Sequence, residues 1–294
     1  MWNRLFALAL VASALALPAA HAQTPLVTVP SLAADQLQRQ SMQLAEEAIR
    51  LVQVARYSEA EGMAQLAVQL SKNNPQAHTV LGGIYLQNNK PEAALTELKL
   101  ASELAPDNAR FQFNLGLVNS RLKNYPAAAT AIERGLKLDP KAVDEYFNLG
   151  NTYVLLERPE DAVGAFEKAV ALKKTFWEAI NNIGLIRYEQ GRIDEAKSRW
   201  EQAVAINAKA AEPKLALGVA LFSQGEREKG LALSEEALGF DKRYSKLDYL
   251  KENLWGTKLL ADAAMVLTTP RIKAALERLP EPTSDEQAAR NGAP

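Results

Sequence analysis

Asn114, Asn148 and Asn182 stand 34 residues apart, each in a stretch whose apolar residues recur at helical spacing. An asparagine side chain carries both the donor and the acceptor of a peptide group. A row of them at a fixed interval can therefore hold an extended backbone whatever its side chains are. Short amides also bond readily to their own neighbours, and the interval alone leaves both readings open. Arg110, Arg121 and Asn151 complete the candidate binding set. Arg110, Arg121 and Lys141 put positive charge early along this row, whereas Asp144, Glu178, Glu189 and Glu212 put negative charge later. Such an asymmetry would give a bound segment a direction, or it is a solvated mixed surface.

Catalytic chemistry has little to work with. The chain has no cysteine, which excludes thiolate metal sites, disulfides and cysteine nucleophiles together. Of its two histidines, His21 lies in the leader described below and His78 lies within a helical stretch, where packing or solvation explains it. No spacing suits a metal, and Gly82-Gly83 sits inside a helix and is no phosphate loop. The acid pairs Glu46-Glu47, Glu235-Glu236 and Asp285-Glu286 read as solvated, since a general acid needs burial or a close neighbour to shift its pKa. The expectation is a non-enzymatic protein with no cofactor and no metal.

The element that positions the asparagines is a repeat. Blocks beginning at Ser41, Pro75, Ala109, Val143, Trp177 and Ala211 run to Tyr244 without insertion or deletion. They cover 41–74, 75–108, 109–142, 143–176, 177–210 and 211–244. Positions 8, 20 and 27 of every block are alanine or glycine, for example Gly150, Ala162 and Ala169 in the fourth. A fixed period of this size is the signature of stacked supersecondary units. Each block reads as two helices with a turn between them, at Asn89-Lys90-Pro91, Arg158-Pro159, Gly191-Arg192 and their equivalents. Proline suits the first turn of the second helix. The small residues let helices approach closely: positions 8 and 20 are expected to meet within a pair, and position 27 to admit the next pair. Leu81, Leu115, Leu149, Ile183 and Leu217, with Phe166 and Trp200, fill the remaining space.

These blocks resemble the tetratricopeptide repeat. Tyr146-x-x-Leu149-Gly150-x-x-Tyr153, Ala162-x-x-x-Phe166-x-x-Ala169 and the closing Pro140 carry the likeness. It covers roughly two-thirds of the chain and weakens at both ends, with Glu47 in the first block and Gly230 and Ser234 in the sixth. The resemblance implies an all-α, right-handed superhelical solenoid whose first helices line a groove at positions near 2, 5, 6, 9, 12 and 13. It implies a scaffold that binds an extended peptide or a partner helix. Glycosyltransferases with such arrays use an asparagine ladder like this row. Chaperone-binding members instead clamp a terminal carboxylate with lysines. Position 5 here is Ala45, Thr79, Phe113, Phe147, Asn181 and Leu215, without lysine, so that specificity does not transfer. A role in assembling envelope or photosynthetic complexes is analogy from fold, which does not settle function.

The ends have different chemistry. Arg4 precedes an apolar run from Leu5 to Leu17, and Ala20-His21-Ala22 fits a leader cleavage site. The run is shorter than the roughly 20 residues a membrane-spanning helix needs. Residues 1–22 are thus expected to be a signal peptide, cleaved or retained as an anchor, that sends the chain to a periplasm or a thylakoid lumen. Residues 23–40 lead into the first block. From 245 to 279 the ruler fails, but Leu247, Leu250, Leu254, Trp255, Leu259, Leu260 and Ala263 keep an apolar stripe, so capping helices are expected. Trp255 could serve an interface between chains if the array self-associates. Residues 280–294 are polar and flanked by proline, and are expected to be disordered. With 294 residues, 48% hydrophobic and a net charge of -1, the chain lacks the basic surface nucleic acid would need. Its expected partners are proteins or peptides, with membrane contact only through an uncleaved leader.

Overall fold

The computed structural model describes residues 33–279. The leader, the first part of the lead-in and the C-terminal tail lie outside them. The described residues form fifteen α-helices and one 3-10 turn, with no strand. Six pairs follow one another: α1 (Ala34–Gln53) with α2 (Tyr57–Leu70), α3 (Pro75–Gln87) with α4 (Pro91–Leu104), and α5 (Ala109–Arg121) with α6 (Tyr125–Leu138). Then come α7 (Val143–Leu155) with α8 (Pro159–Leu172), α9 (Trp177–Glu189) with α10 (Ile193–Ile206), and α11 (Ala211–Ser223) with α12 (Arg227–Phe240). A 3-10 turn (Lys242–Ser245) leads to α13 (Leu247–Glu252), α14 (Thr257–Leu267) and α15 (Pro270–Arg278).

Local chemistry sets these boundaries. Asn74 caps α3, its Oδ1 accepting from the N–H groups of Gln76 and Ala77, and Asn108 caps α5 in the same way. Pro75, Pro91 and Pro159 each open a helix, where a missing N–H costs nothing. The first helix of every pair ends in a left-handed residue, in turn Ala55, Asn89, Lys123, Glu157, Gly191 and Gly225. The following N–H then reaches back to close the helix, as Lys90 N does to Tyr85 O at 2.8 Å and Arg158 N to Tyr153 O at 2.9 Å.

Packing within a pair depends on absent side chains. A Cβ on Gly82 would lie 2.6 Å from Leu98 Cγ, and one on Gly150 would lie 2.5 Å from Phe166 Cε1. Positions 8 and 20 do meet: the Gly82 Cβ would also approach the backbone oxygen of Ala94. Position 27 differs from the expectation in the third block. Gly135 makes room for the ring of Phe113 in its own pair, because an aromatic residue at position 5 needs the space that smaller residues leave free.

First helices of successive pairs approach one another, as α1 does α3, α3 does α5 and α9 does α11. Second helices show no comparable approach, so the first helices line the inner side of the curve. Of the final helices, α14 turns back onto that inner side. α14 packs against α11 and α9, while α15 packs against α12. Leu250, Trp255, Leu259, Ala263, Val266 and Ile272 are all buried there, in one core with Tyr188, Trp200 and Leu215. Trp255 is only 3% exposed, so it is not available for an interface between chains; its ring fills this intramolecular seam instead.

Candidate functional site

The inner side is open where α5 and α7 face each other. A recess of about 210 Å³ lies there, lined by Phe113, Asn114, Leu117 and Ser120 from α5 and by Glu145, Asn148, Asn151 and Leu155 from α7. Its amides come from positions 6 and 9, one helical turn apart and so on one face. Leu117 and Leu155 are 48% and 44% exposed, a large apolar surface for two neighbouring positions on a water-facing wall. The recess therefore offers amide groups beside apolar contact, the pairing expected of a site that holds a peptide backbone together with one of its aliphatic side chains.

The candidate residues divide. Asn114, Asn148 and Asn151 share the recess. Asn114 has no hydrogen-bond partner among the described residues. Asn148 Nδ2 donates to Glu145 Oε2 at 3.1 Å, within its own helix. Burial raises the Glu145 carboxyl above the ordinary carboxylate range, and the Asn148 bond opposes this. Asn182 does not line the recess; it sits one repeat further on, its Nδ2 donating to Asn151 Oδ1 at 3.0 Å. Arg110 and Arg121 are exposed and stand outside the recess lining. Local bonding and availability to a ligand thus both occur in the row, residue by residue.

Two acids expected to charge the groove are committed elsewhere. Glu189 caps α14, its carboxylate accepting from the N–H groups of Lys258 at 3.1 Å and Leu259 at 2.9 Å. A carboxylate at a helix N-terminus is favoured by the unpaired N–H groups there. Gly256 lies so close to Glu189 that a Cβ would not fit. Glu212 accepts from Trp255 Nε1 at 2.9 Å. Burial pushes its carboxyl up to about 7, against the bonds from Trp255 and Asn181. Tyr188 donates to Asp262 of α14. These contacts close the inner side over repeats five and six. Asp144 remains exposed and Glu178 half-buried on the inner helices.

Sequence reasoning missed the role of Leu117 and Leu155. A signal was present only for Leu155, which stands at position 13 where the other blocks carry Gln53, Gln87, Arg121, Glu189 and Ser223; at position 9 Leu117 is one aliphatic among Ile49, Leu185 and Val219 and does not stand out. The remaining candidates are structural. His78 is buried, with Nδ1 2.6 Å from Glu97 Oε2 and Nε2 2.9 Å from the Lys72 carbonyl, and ties α3 to α4. Phe147 packs against Phe166 and Phe176 with ring centroids 5.6 and 5.1 Å away. Among the described residues no group of acids and histidines is arranged to hold a metal, and no helix is long and apolar enough to cross a membrane.

The fold and this site define a class: helix-pair solenoids whose inner face forms a trough. Family models agree. The model described as tetratricopeptide repeat matches residues 45–109, 84–143 and 113–175, and that described as TPR repeat matches 184–225. Together they span more than half of the chain, which belongs to the tetratricopeptide repeat family. No curated protein matches it. Similar solved structures include MamA, at 26% identity and a TM-score of 0.54 over 56% of this chain and 96% of that one. PilF of Pseudomonas aeruginosa aligns at 19% identity and a TM-score of 0.61, over 74% of this chain and 97% of its own. YrrB, described as a TPR protein with an unusual peptide-binding site, aligns at 24% and 0.52, over 61% and 92%.

Proposed function

We propose that this protein is a non-enzymatic scaffold that binds a peptide segment or helix of a partner protein in the trough between α5 and α7. The observation that carries this reading is the recess in which Asn114, Asn148 and Asn151 stand beside the exposed Leu117 and Leu155. The amides meet the partner's backbone, and the leucines take an aliphatic side chain. Arg110 and Arg121, exposed on the same helix, set the direction of a partner that carries acidic residues. Asn182 acts one step removed, by holding Asn151. Because α14 covers repeats five and six, the ligand's path runs along the earlier repeats.

We read residues 1–22 as an export leader, which makes the working compartment a periplasm or a thylakoid lumen. Binding there would serve assembly of an envelope or photosynthetic complex. The intact mass of the exported form tests the leader: it should correspond to a chain starting at Gln23, and one starting at Met1 would contradict it. For the trough, a partner identified by crosslinking is titrated against purified chains. Asn114→Ala with Asn148→Ala should weaken binding by roughly five- to 150-fold, since each lost bond to a peptide group contributes about 0.5–1.5 kcal/mol. Unchanged affinity in that double variant removes the amide row from the site.

A further inference from the structure

Position 11 of the first helix bridges successive pairs in three of the blocks. In the second block it is Tyr85, whose hydroxyl accepts from Gln65 Nε2 of α2 at 3.3 Å, with Lys90 over the ring. In the fourth it is Tyr153, which donates to Glu133 Oε1 of α6 at 2.6 Å beneath the Arg158 guanidinium. In the fifth it is Arg187, which donates to Glu160 Oε1 of α8 at 2.9 Å. Each side chain thus occupies the cleft between its own pair and the second helix of the pair before. The third block has Asn119 there, too short to cross, and its Nδ2 donates to the Leu115 carbonyl of its own helix at 2.7 Å. A cleft of about 470 Å³ stays open, lined by Gln112, Leu115 and Asn119 of α5, by Asn124 of the turn and by Ala131 and Arg134 of α6.

The buried amides of this cleft have acceptors to spare. Gln112 is 2% exposed; its Nε2 donates to Ser102 Oγ at 2.9 Å and to the Pro106 carbonyl at 3.3 Å, and its Oε1 has no hydrogen-bond partner. Asn119 is 4% exposed, spends its Nδ2 on Leu115, and has no partner for Oδ1 among the described residues. The rim is positive. Arg134 lines it, Lys137 follows about one turn later on α6, and Lys123 precedes Asn124 in the turn. On α4, Lys99 stands at the block position that Gln65 and Glu133 hold beside the occupied clefts. No acid lines the cleft. Among the described residues Lys123, Arg134 and Lys137 have no ion pair, whereas Arg158, Arg187, Arg192 and Arg199 of the next two blocks are all paired.

We propose that this cleft receives a tyrosine from an acidic segment of a partner protein. The chain itself shows twice, at Tyr85 and Tyr153, that a tyrosine fits the space between such pairs. A ring supplied from outside replaces the one that Asn119 omits. Its hydroxyl donates to Asn119 Oδ1, an oxygen that a plain phenyl edge leaves unpaired. Arginine fills the fifth block's cleft, but a partner's arginine would meet Arg134 and Lys99 here and be repelled. Carboxylates flanking the tyrosine instead meet Lys123, Arg134 and Lys137. The cleft lies on a different face of α5 from the trough: Gln112, Leu115 and Asn119 line the one, and Phe113, Asn114 and Leu117 the other. Both can therefore be filled at once, and the cleft does not depend on the trough reading.

The test titrates the blocked peptide Glu-Asp-Tyr-Glu-Asp into the isotope-labelled full chain at low salt, followed by NMR. The side-chain NH2 signals of Asn119 and Asn124 should shift, while that of Asn148 stays still. The peptide with phenylalanine in place of tyrosine should bind about two- to tenfold more weakly, as expected for one lost hydrogen bond. Arg134→Glu, an exposed change, should weaken binding and reduce its dependence on salt. Asn119→Tyr gives the third block the ring its neighbours have; it should close the cleft and abolish binding without lowering the melting midpoint. No shift at millimolar peptide, equal binding of the phenylalanine peptide, or binding that survives Asn119→Tyr or is indifferent to Arg134→Glu would overturn the proposal. Shifts at Asn114 and Asn148 in place of Asn119 would overturn it too, and would leave the trough standing.

Discussion

Replacing Gly150 by alanine isolates the packing that makes the array. In a helix interior the exchange of glycine for alanine stabilises by about 0.8–1.0 kcal/mol when nothing is in the way. At Gly150 something is. The new Cβ would lie 2.5, 2.6 and 2.8 Å from three ring atoms of Phe166. That ring has 0% exposure and is held by Phe147, which is held in turn by Phe176. Overpacking of this kind costs about 1–3 kcal/mol. Gly83 and Gly164 also lie inside helices, but a Cβ on either meets nothing within 4 Å. The same substitution should therefore raise stability at Gly83 and Gly164 by about 1 kcal/mol and leave Gly150→Ala about 1–3 kcal/mol below them. Urea unfolding followed by circular dichroism gives the midpoints. Hydrogen exchange in α7 and α8 shows whether the loss is local, as expected where each repeat touches only its neighbours. Phe166→Leu in the Gly150→Ala background should recover part of the loss. A Gly150→Ala midpoint equal to that of Gly164→Ala would refute the close-approach argument.

The stability of the cap should depend on pH through Glu212. Its carboxyl is raised from 4.5 to about 7 in the folded chain, so the folded state holds the proton more tightly than the unfolded one. Its contribution is fully present below 4.5 and is lost as pH rises through 7. Protection factors in α13 and α14, with the base-catalysed intrinsic exchange divided out, should fall over that interval, and Glu212→Gln should flatten that fall. Tyr188→Phe leaves Asp262 without its donor and should loosen α14 by about 1–3 kcal/mol, read by the same exchange, while α3 and α4 stay unchanged. Gly191→Ala places a side chain on a left-handed residue and should cost about 1 kcal/mol in thermal unfolding, whereas Lys123→Gly at the equivalent turn should not destabilise.

The all-helical repeat architecture was legible because its determinants are local and recur. Small residues at Gly82, Gly116 and Gly150, prolines at Pro91 and Pro159 and glycines at Gly191 and Gly225 each act within one helix pair. The inner wall was only partly legible. Asn148 and Asn182 could be placed on a face by spacing, but not whether their amides were spent on Glu145 and Asn151. The fate of Glu189, Glu212 and Trp255 was not legible at all. It depends on a helix that returns 70 residues later to rest on α9 and α11, and no periodic signal records that meeting. Isolated acids on a polar helix face look alike whether they face solvent or cap a neighbour.

The central claim is that the inner side of α5 and α7 receives a partner. A photo-crosslinking residue in place of Leu117, 48% exposed in the recess, tests it against the same residue in place of Gly164, which faces open space on the second helix. With the chain in its native cell, adducts to one defined protein should form from Leu117, be absent from Gly164, and disappear when Asn114 and Asn148 are both changed to alanine. Equal labelling from both positions, or adducts indifferent to the two asparagines, would contradict the account.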